Sequence, residues 1–201
     1  MARTWLSIRV ELVGGRGEDL WPYPGRVILV GPSHTFADLA SAIDTAFARW
    51  DHAHLCQFTL ADGRVITDEE TAEDQLSSPF GPIDTRGPLV LERIKVAKEV
   101  APGDEFCYVF DFGDDWTHAC TVEEAKADPV EVLGLRPEVP TPSWGWGSIP
   151  DQYGRRWDRD GSGEPMPPRP NDIRDFPPYT RQRRGADRPA RSRAAYKTLA
   201  G

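Results

Sequence analysis

One nineteen-residue stretch, EFCYVFDFGDDWTHACTVE at residues 105–123, constrains the fold more than any other part of this sequence. Before its centre, aromatic residues alternate with other side chains, and the same period of two returns after the centre. This alternation is typical of β-strands, because successive side chains of a strand point to opposite faces. The run Gly113-Asp114-Asp115 separates the two patterns. The stretch therefore predicts a β-hairpin whose turn lies at residues 113–115.

The segments before this hairpin predict the rest of one folded body, residues 1–125. Residues 5–13 alternate in the same way, and short apolar runs at 26–30 and 55–60 also favour strands. From Thr35 onward the apolar residues recur at helical spacing, and Thr35 followed by Asp38 resembles a capping box at a helix start. We therefore expect an α+β fold, a mainly antiparallel β-sheet packed against one main helix at 35–50, with a Pro/Trp-rich C-terminal arm.

Proline marks a change of organisation after residue 125. Twelve of the nineteen prolines fall between residues 126 and 190, and proline suits neither a long helix nor a central strand. The same region holds Trp144, Trp146 and Trp157, which are costly to leave in water. We predict that residues 126–180 form an extended arm, packed on the body through these tryptophans.

The charge of the chain is unevenly distributed. Its net charge is -8, but the final segment, 181–201, carries seven basic residues between Arg181 and Lys197 and one acidic residue. That tail is therefore +6, which leaves residues 1–180 at -14. An acidic body repels nucleic acid, whereas a basic tail could contact phosphate. A flexible, solvated tail is the alternative.

The predicted hairpin also gathers residues that could bind a metal. Asp111, Asp114, Asp115 and His118 lie within eight residues, and His54 follows the predicted helix. Carboxylate oxygens suit Mg²⁺ or Ca²⁺, and an added imidazole nitrogen suits Mn²⁺ or Zn²⁺. A divalent metal held by these five residues is one hypothesis, although their spacing matches no recognised metal motif.

A structural role for the same turn is the competing hypothesis. Aspartates in turns bond to their own backbone, and Gly113 could supply the positive φ that a tight turn favours. Phe112 and Trp116 would then pack beneath the turn. The sequence leaves both interpretations open.

With these features established, the run YVFDFGDDWTHACTVEE at 108–124, together with WDHAHLCQF at 50–58, resembles the plasmid pRiA4b ORF-3-like family. Members are also described as passenger proteins of insertion elements, some with a resolvase-like name. The resemblance covers residues 5–125. It implies an α+β domain with a mainly antiparallel sheet, a cytoplasmic location and no established activity. Where members often carry a Cys-Pro-rich segment ending in Gly-Gly, this chain has VPTPSWGWGSIPDQYGRRW, which contains no cysteine.

Three functions remain open on this basis. We favour a non-enzymatic binding or accessory module associated with mobile elements, which docks a protein or peptide through Trp144, Trp146 and Trp157. A metal-assisted hydrolase centred on the hairpin and a nucleic-acid-binding accessory protein using the basic tail are the alternatives.

No apolar run reaches the roughly 18 residues of a membrane span. The start lacks the apolar core of a signal peptide, and three cysteines fit a reducing compartment, so we expect a cytoplasmic protein.

Overall fold

The computed structural model describes residues 4–77 and 87–153, in which the chain forms nine strands and four helices. The strands are β1 (Leu6–Gly15), β2 (Glu18–Asp19), β3 (Gly25–Val30), β4 (Cys56–Leu60), β5 (Val65–Thr67), β6 (Leu89–Val90), β7 (Glu105–Phe110), β8 (Trp116–Val122) and β9 (Thr141–Trp146). The helices are α1 (Phe36–Ala46), α2 (Glu69–Ser77), α3 (Val96–Glu99) and α4 (Pro129–Leu133). Trp157, the remainder of the predicted arm and the basic tail lie outside the described residues.

All the strands belong to one sheet. Its order is β6-β5-β4-β7-β8-β1-β3-β9, and β2 pairs with the end of β1. Every pairing is antiparallel except that of β5 with β6. This architecture confirms the predicted α+β fold with a mainly antiparallel sheet.

The predicted hairpin forms the centre of the sheet. β7 and β8 pair in register, with Tyr108 opposite His118 and Phe110 opposite Trp116. On the other side of β8, His118 lies opposite Leu12 of β1. The backbone N–H of Asp111 donates to the carbonyl of Leu55, 2.9 Å away, so the hairpin turn lies beside the loop that enters β4.

The main helix begins where the sequence predicts. Thr35 caps α1, and its side chain and that of Asp38 exchange hydrogen bonds with each other's backbone N–H groups. The helix ends earlier than the predicted residue 50, because Ala48 adopts a positive φ of 55°. In residues 4–77 and 87–153, no helix is both long and apolar enough to cross a membrane.

The described part of the arm adds an edge strand to the sheet. β9 pairs with β3, and Trp144 lies half-buried opposite Val27. Trp146 packs directly on Gly25, where an added Cβ would lie 2.1 Å from the indole ring, and its Nε1 donates to the carbonyl of Tyr23. Trp146 therefore stabilises the fold itself.

Candidate functional site

The hairpin turn is built by its own aspartates. Oδ1 of Asp111 accepts the backbone N–H groups of Gly113 at 3.0 Å and Asp114 at 3.3 Å, and Oδ1 of Asp115 accepts the hydroxyl of Thr117 at 2.8 Å. The expected positive φ does not occur at Gly113. It occurs at Asp111 and Asp115, with φ of 58° and 54°, because short polar side chains tolerate this conformation when they bond locally.

Backbone strain is concentrated around this turn. In the described part of the chain, four non-glycine residues have a positive φ, namely Arg16, Ala48, Asp111 and Asp115. Arg16 is bonded to the turn, since its guanidinium lies 2.9 Å from the carboxylate of Asp114. Such conformations cost on the order of 1–3 kcal/mol each and cluster at functional sites. The strain therefore identifies the turn end of the sheet as the candidate site.

His54 lies between two carboxylates at this end. Its Nδ1 is 3.4 Å from Oδ2 of Asp111, its Nε2 is 3.5 Å from Oδ2 of Asp51, and the hydroxyl of Tyr153 lies 2.9 Å from the same Nε2. Tyr153 also donates its hydroxyl to Asp51. This bond lowers the pKa of the Asp51 carboxyl and raises the pKa of Tyr153 to about 12. The imidazole of His54 therefore bridges the two carboxylates.

Residues 150–153, which we call the strap, bring Tyr153 to this place. The fully buried Gln152 accepts the backbone N–H groups of Trp50 and Asp51 through Oε1, and its Nε2 donates to the Asp51 carbonyl at 2.9 Å. The carbonyl of Pro150 accepts a bond from Arg49 at 3.3 Å. Sequence analysis missed Tyr153 and the strap, because nothing in a proline-rich segment indicates which loop it contacts.

The five predicted metal ligands are only partly brought together. Among them, His54 and Asp111 are in side-chain contact. His118 is fully buried in the core, with its ring centroid 4.8 Å from that of Phe47 and 5.4 Å from that of Tyr108. Burial, aided by the charge of Arg49, lowers the pKa of His118 to about 3. No group of three or more His, Cys, Asp or Glu side chains within residues 4–77 and 87–153 is arranged to hold a metal. Metal binding therefore stays a prediction.

The two aromatic residues of the turn have different environments. Trp116 is buried, packs on Gly15 and carries the guanidinium of Arg49 over its ring at 4.1 Å. Phe112, which we expected beneath the turn, is 46% exposed because Trp116 already occupies that space. Leu55 is also 46% exposed, and its backbone carbonyl accepts from Asp111, the residue before Phe112. This end of the sheet thus leaves an apolar pair, Phe112 and Leu55, exposed to solvent.

Comparisons with known proteins agree with this architecture. A protein of unknown function, MM3350 from Methanosarcina mazei Go1, has a crystal structure that matches 70% of this chain and 68% of its own, with a TM-score of 0.52 and 21% sequence identity. At that identity the likeness shows the fold alone. No curated protein matches the chain. The sequence profile described as "Plasmid pRiA4b ORF-3-like protein" matches residues 6–140, which include the whole hairpin and His54. The chain belongs to the plasmid pRiA4b ORF-3-like family.

Proposed function

We propose that this protein is a non-enzymatic binding module that docks a protein or peptide at the hairpin turn. The observation that carries the proposal is the exposed side chain of Phe112 on a turn held in strained backbone. An aromatic side chain loses hydrophobic stabilisation when it is left in water, and aromatic residues are the common anchors of protein interfaces. Leu55, which is equally exposed and whose carbonyl accepts from Asp111, provides a second apolar side chain near the turn.

The charges around this apolar pair favour a basic partner. Asp51, Asp111 and Asp114 surround the turn, and residues 1–180 carry a net charge of -14. Such a field attracts positively charged partners and accelerates their association at low salt. We therefore infer a partner segment with an aliphatic or aromatic anchor and flanking lysine or arginine residues.

The hydrogen bonds of the carboxylates support binding over catalysis. Asp111 uses one oxygen for the turn backbone and directs the other to His54, while Asp51 accepts from Tyr153 and from the backbone of Ala53. Groups bonded in this way stabilise a surface shape. An accessory role beside mobile elements is part of the proposal, and it is supported by the family resemblance.

A peptide-display selection on the full chain tests the proposal. Recovered peptides should carry net positive charge, and their Kd should rise at least tenfold on Phe112→Ala. Val139→Ala is the matched control, because Val139 is 60% exposed and precedes β9, away from the turn. Trp144→Ala tests the tryptophan surface predicted from the sequence.

Two outcomes contradict the proposal. Peptides that bind the wild type and Phe112→Ala equally well would exclude the turn as the docking surface. A loss of binding confined to Trp144→Ala would move the docking surface to β9.

A further inference from the structure

A layer of buried polar side chains lies between the C-terminal end of α1 and the helix-facing side of β7 and β8. Asp44 comes from the last turn of α1 and accepts the hydroxyl of Tyr108 at 2.9 Å. Trp116 and His118 lie two residues apart on β8 and therefore share one face of the strand. Arg49 enters just after the helix and stacks on Trp116. We call these five residues the polar layer.

Several nitrogen atoms in the polar layer lack hydrogen-bond partners. Arg49 donates through Nη2 to the carbonyl of Pro150, but its Nε and Nη1 have no partner in the described part of the chain. The same holds for Nε1 of Trp116. Arg49 and Trp116 are each 2% exposed, so bulk water does not supply the missing bonds.

The buried charge of Arg49 is also uncompensated by a close ion pair. None of the ion pairs within residues 4–77 and 87–153 involves Arg49, and Asp44, whose charge acts on it most strongly, is bonded to Tyr108. A buried charge without a hydrogen-bonded partner is strongly destabilising, and each unsatisfied buried group requires an explanation. The contact with Trp116 recovers only part of that cost.

We propose that the polar layer is a binding site for a small carboxylate, whose oxygens accept N–H groups of Arg49 and Trp116. The missing partners on these two residues are all acceptors, which is what a carboxylate supplies. The charges of Asp44, Asp114 and Asp151 also act on Arg49, so a ligand with one negative charge is repelled less than a dianion such as phosphate. The site is separate from the docking surface at Phe112.

The strap contacts this site at Arg49. Pro150 contacts the Nη2 atom of Arg49, and Gln152 fixes the strap to the loop after α1. The strap is also held by the bond between Tyr153 and the partly exposed side chain of Asp51.

Thermal unfolding of the full chain in sodium acetate, with sodium chloride of equal ionic strength as the reference, tests the site. Acetate at a hundred times its Kd should raise the ratio of folded to unfolded protein about a hundredfold. Arg49→Met should abolish this stabilisation, and Arg49→Lys should weaken acetate binding at least tenfold. Phe112→Ala should leave acetate binding unchanged, which separates this test from that of the docking surface.

A measurement on the wild type keeps the test independent of the folding of these variants. Titration with acetate should shift the indole N–H resonance of Trp116, assigned with Trp116→Phe, in a two-dimensional nitrogen–proton NMR spectrum. An unmoved resonance, together with equal melting temperatures in acetate and chloride, would overturn the proposal and assign the free donors to buried water. Stabilisation by inorganic phosphate equal to that by acetate would overturn the carboxylate assignment.

Discussion

The two ends of the core beneath α1 differ in their buried side chains. One end is filled by apolar rings, and the other holds polar groups whose hydrogen bonding is incomplete. At one end Phe36, Phe58 and Phe106 are fully buried, with ring centroids 4.9–6.3 Å apart. At the turn end, Arg49 and Trp116 are almost as fully buried, but some of their nitrogen atoms have no hydrogen-bond partner among residues 4–77 and 87–153. The strands β7 and β8 run through both ends, so the difference arises from side chains and not from the fold.

This contrast separates the part of the molecule that stabilises the fold from the part where we propose binding. Apolar packing at the first end lowers the free energy of the folded state without leaving any interaction to be completed. At the second end, strained backbone and incomplete hydrogen bonding raise that free energy, as is common at functional sites. The turn end is therefore where a ligand or partner gains most by binding.

The largest expected effect is the loss of a ring at the apolar end. Phe106→Ala should lower the free energy of unfolding by about 3–5 kcal/mol, because a buried aromatic side chain leaves a cavity. Chemical denaturation measures this directly. The matched variant at the turn end, Phe112→Ala, should change stability by less than about 0.5 kcal/mol. Equal losses in the two variants would erase the contrast between the ends.

The second effect is a pair of opposing pH dependences within the polar layer. Burial raises the pKa of Asp44 to about 7 from its usual 3.8, so folded protein keeps a proton that unfolded protein loses, and stability falls as pH rises from 4 to 7. Burial lowers the pKa of His118 to about 3 from 6.5, so stability rises with pH from 3 to 6.5. The two slopes oppose each other, and each is at most about 1.4 kcal/mol per pH unit.

Single variants should expose each slope in denaturation curves measured between pH 4 and 7. Asp44→Asn should leave a steep rise of stability with pH, and His118→Leu should leave a steep fall. If both variants keep the pH profile of the wild type, the two groups are not buried as the structure places them.

A smaller loss is expected from crowding beneath Trp116. An added Cβ at Gly15 would lie 2.1 Å from the Trp116 ring, so Gly15→Ala should cost about 1–3 kcal/mol through forced repacking. Gly17 has a positive φ and nothing within 4 Å of its position, so Gly17→Ala should cost only about 1 kcal/mol from backbone strain. Thermal melts of the two variants compare them, and a milder effect at Gly15 would contradict the packing described for Trp116.

The smallest effect concerns the strap. Tyr153→Phe removes the hydroxyl that bonds Asp51 and His54, while the bonds of Gln152 remain. Amide hydrogen exchange at Tyr153 should accelerate several-fold, with little change in melting temperature. Tyr23→Phe serves as the control, since Tyr23 contributes its backbone carbonyl to the fold. Unchanged exchange would mean that Gln152 alone holds the strap.

Local patterns predicted the fold well, and long-range contacts explain what they could not predict. The alternation around residues 113–115 and the Thr35 cap report interactions between near neighbours, and both are confirmed. The exposure of Phe112 depends on which aromatic ring fills the space beside Gly15, and that choice is made by packing across strands. Contact between Tyr153 and Asp51 joins residues about a hundred positions apart, which no local pattern encodes.

The unfolding free energy of Arg49→Met, measured in buffer free of carboxylates, tests the central claim most directly. If the polar layer is incomplete in the protein alone, removal of an unpaired buried charge should leave stability unchanged or raise it. A loss of about 3–5 kcal/mol, as expected when one partner of a buried ion pair is removed, would show that Arg49 is already satisfied within the fold.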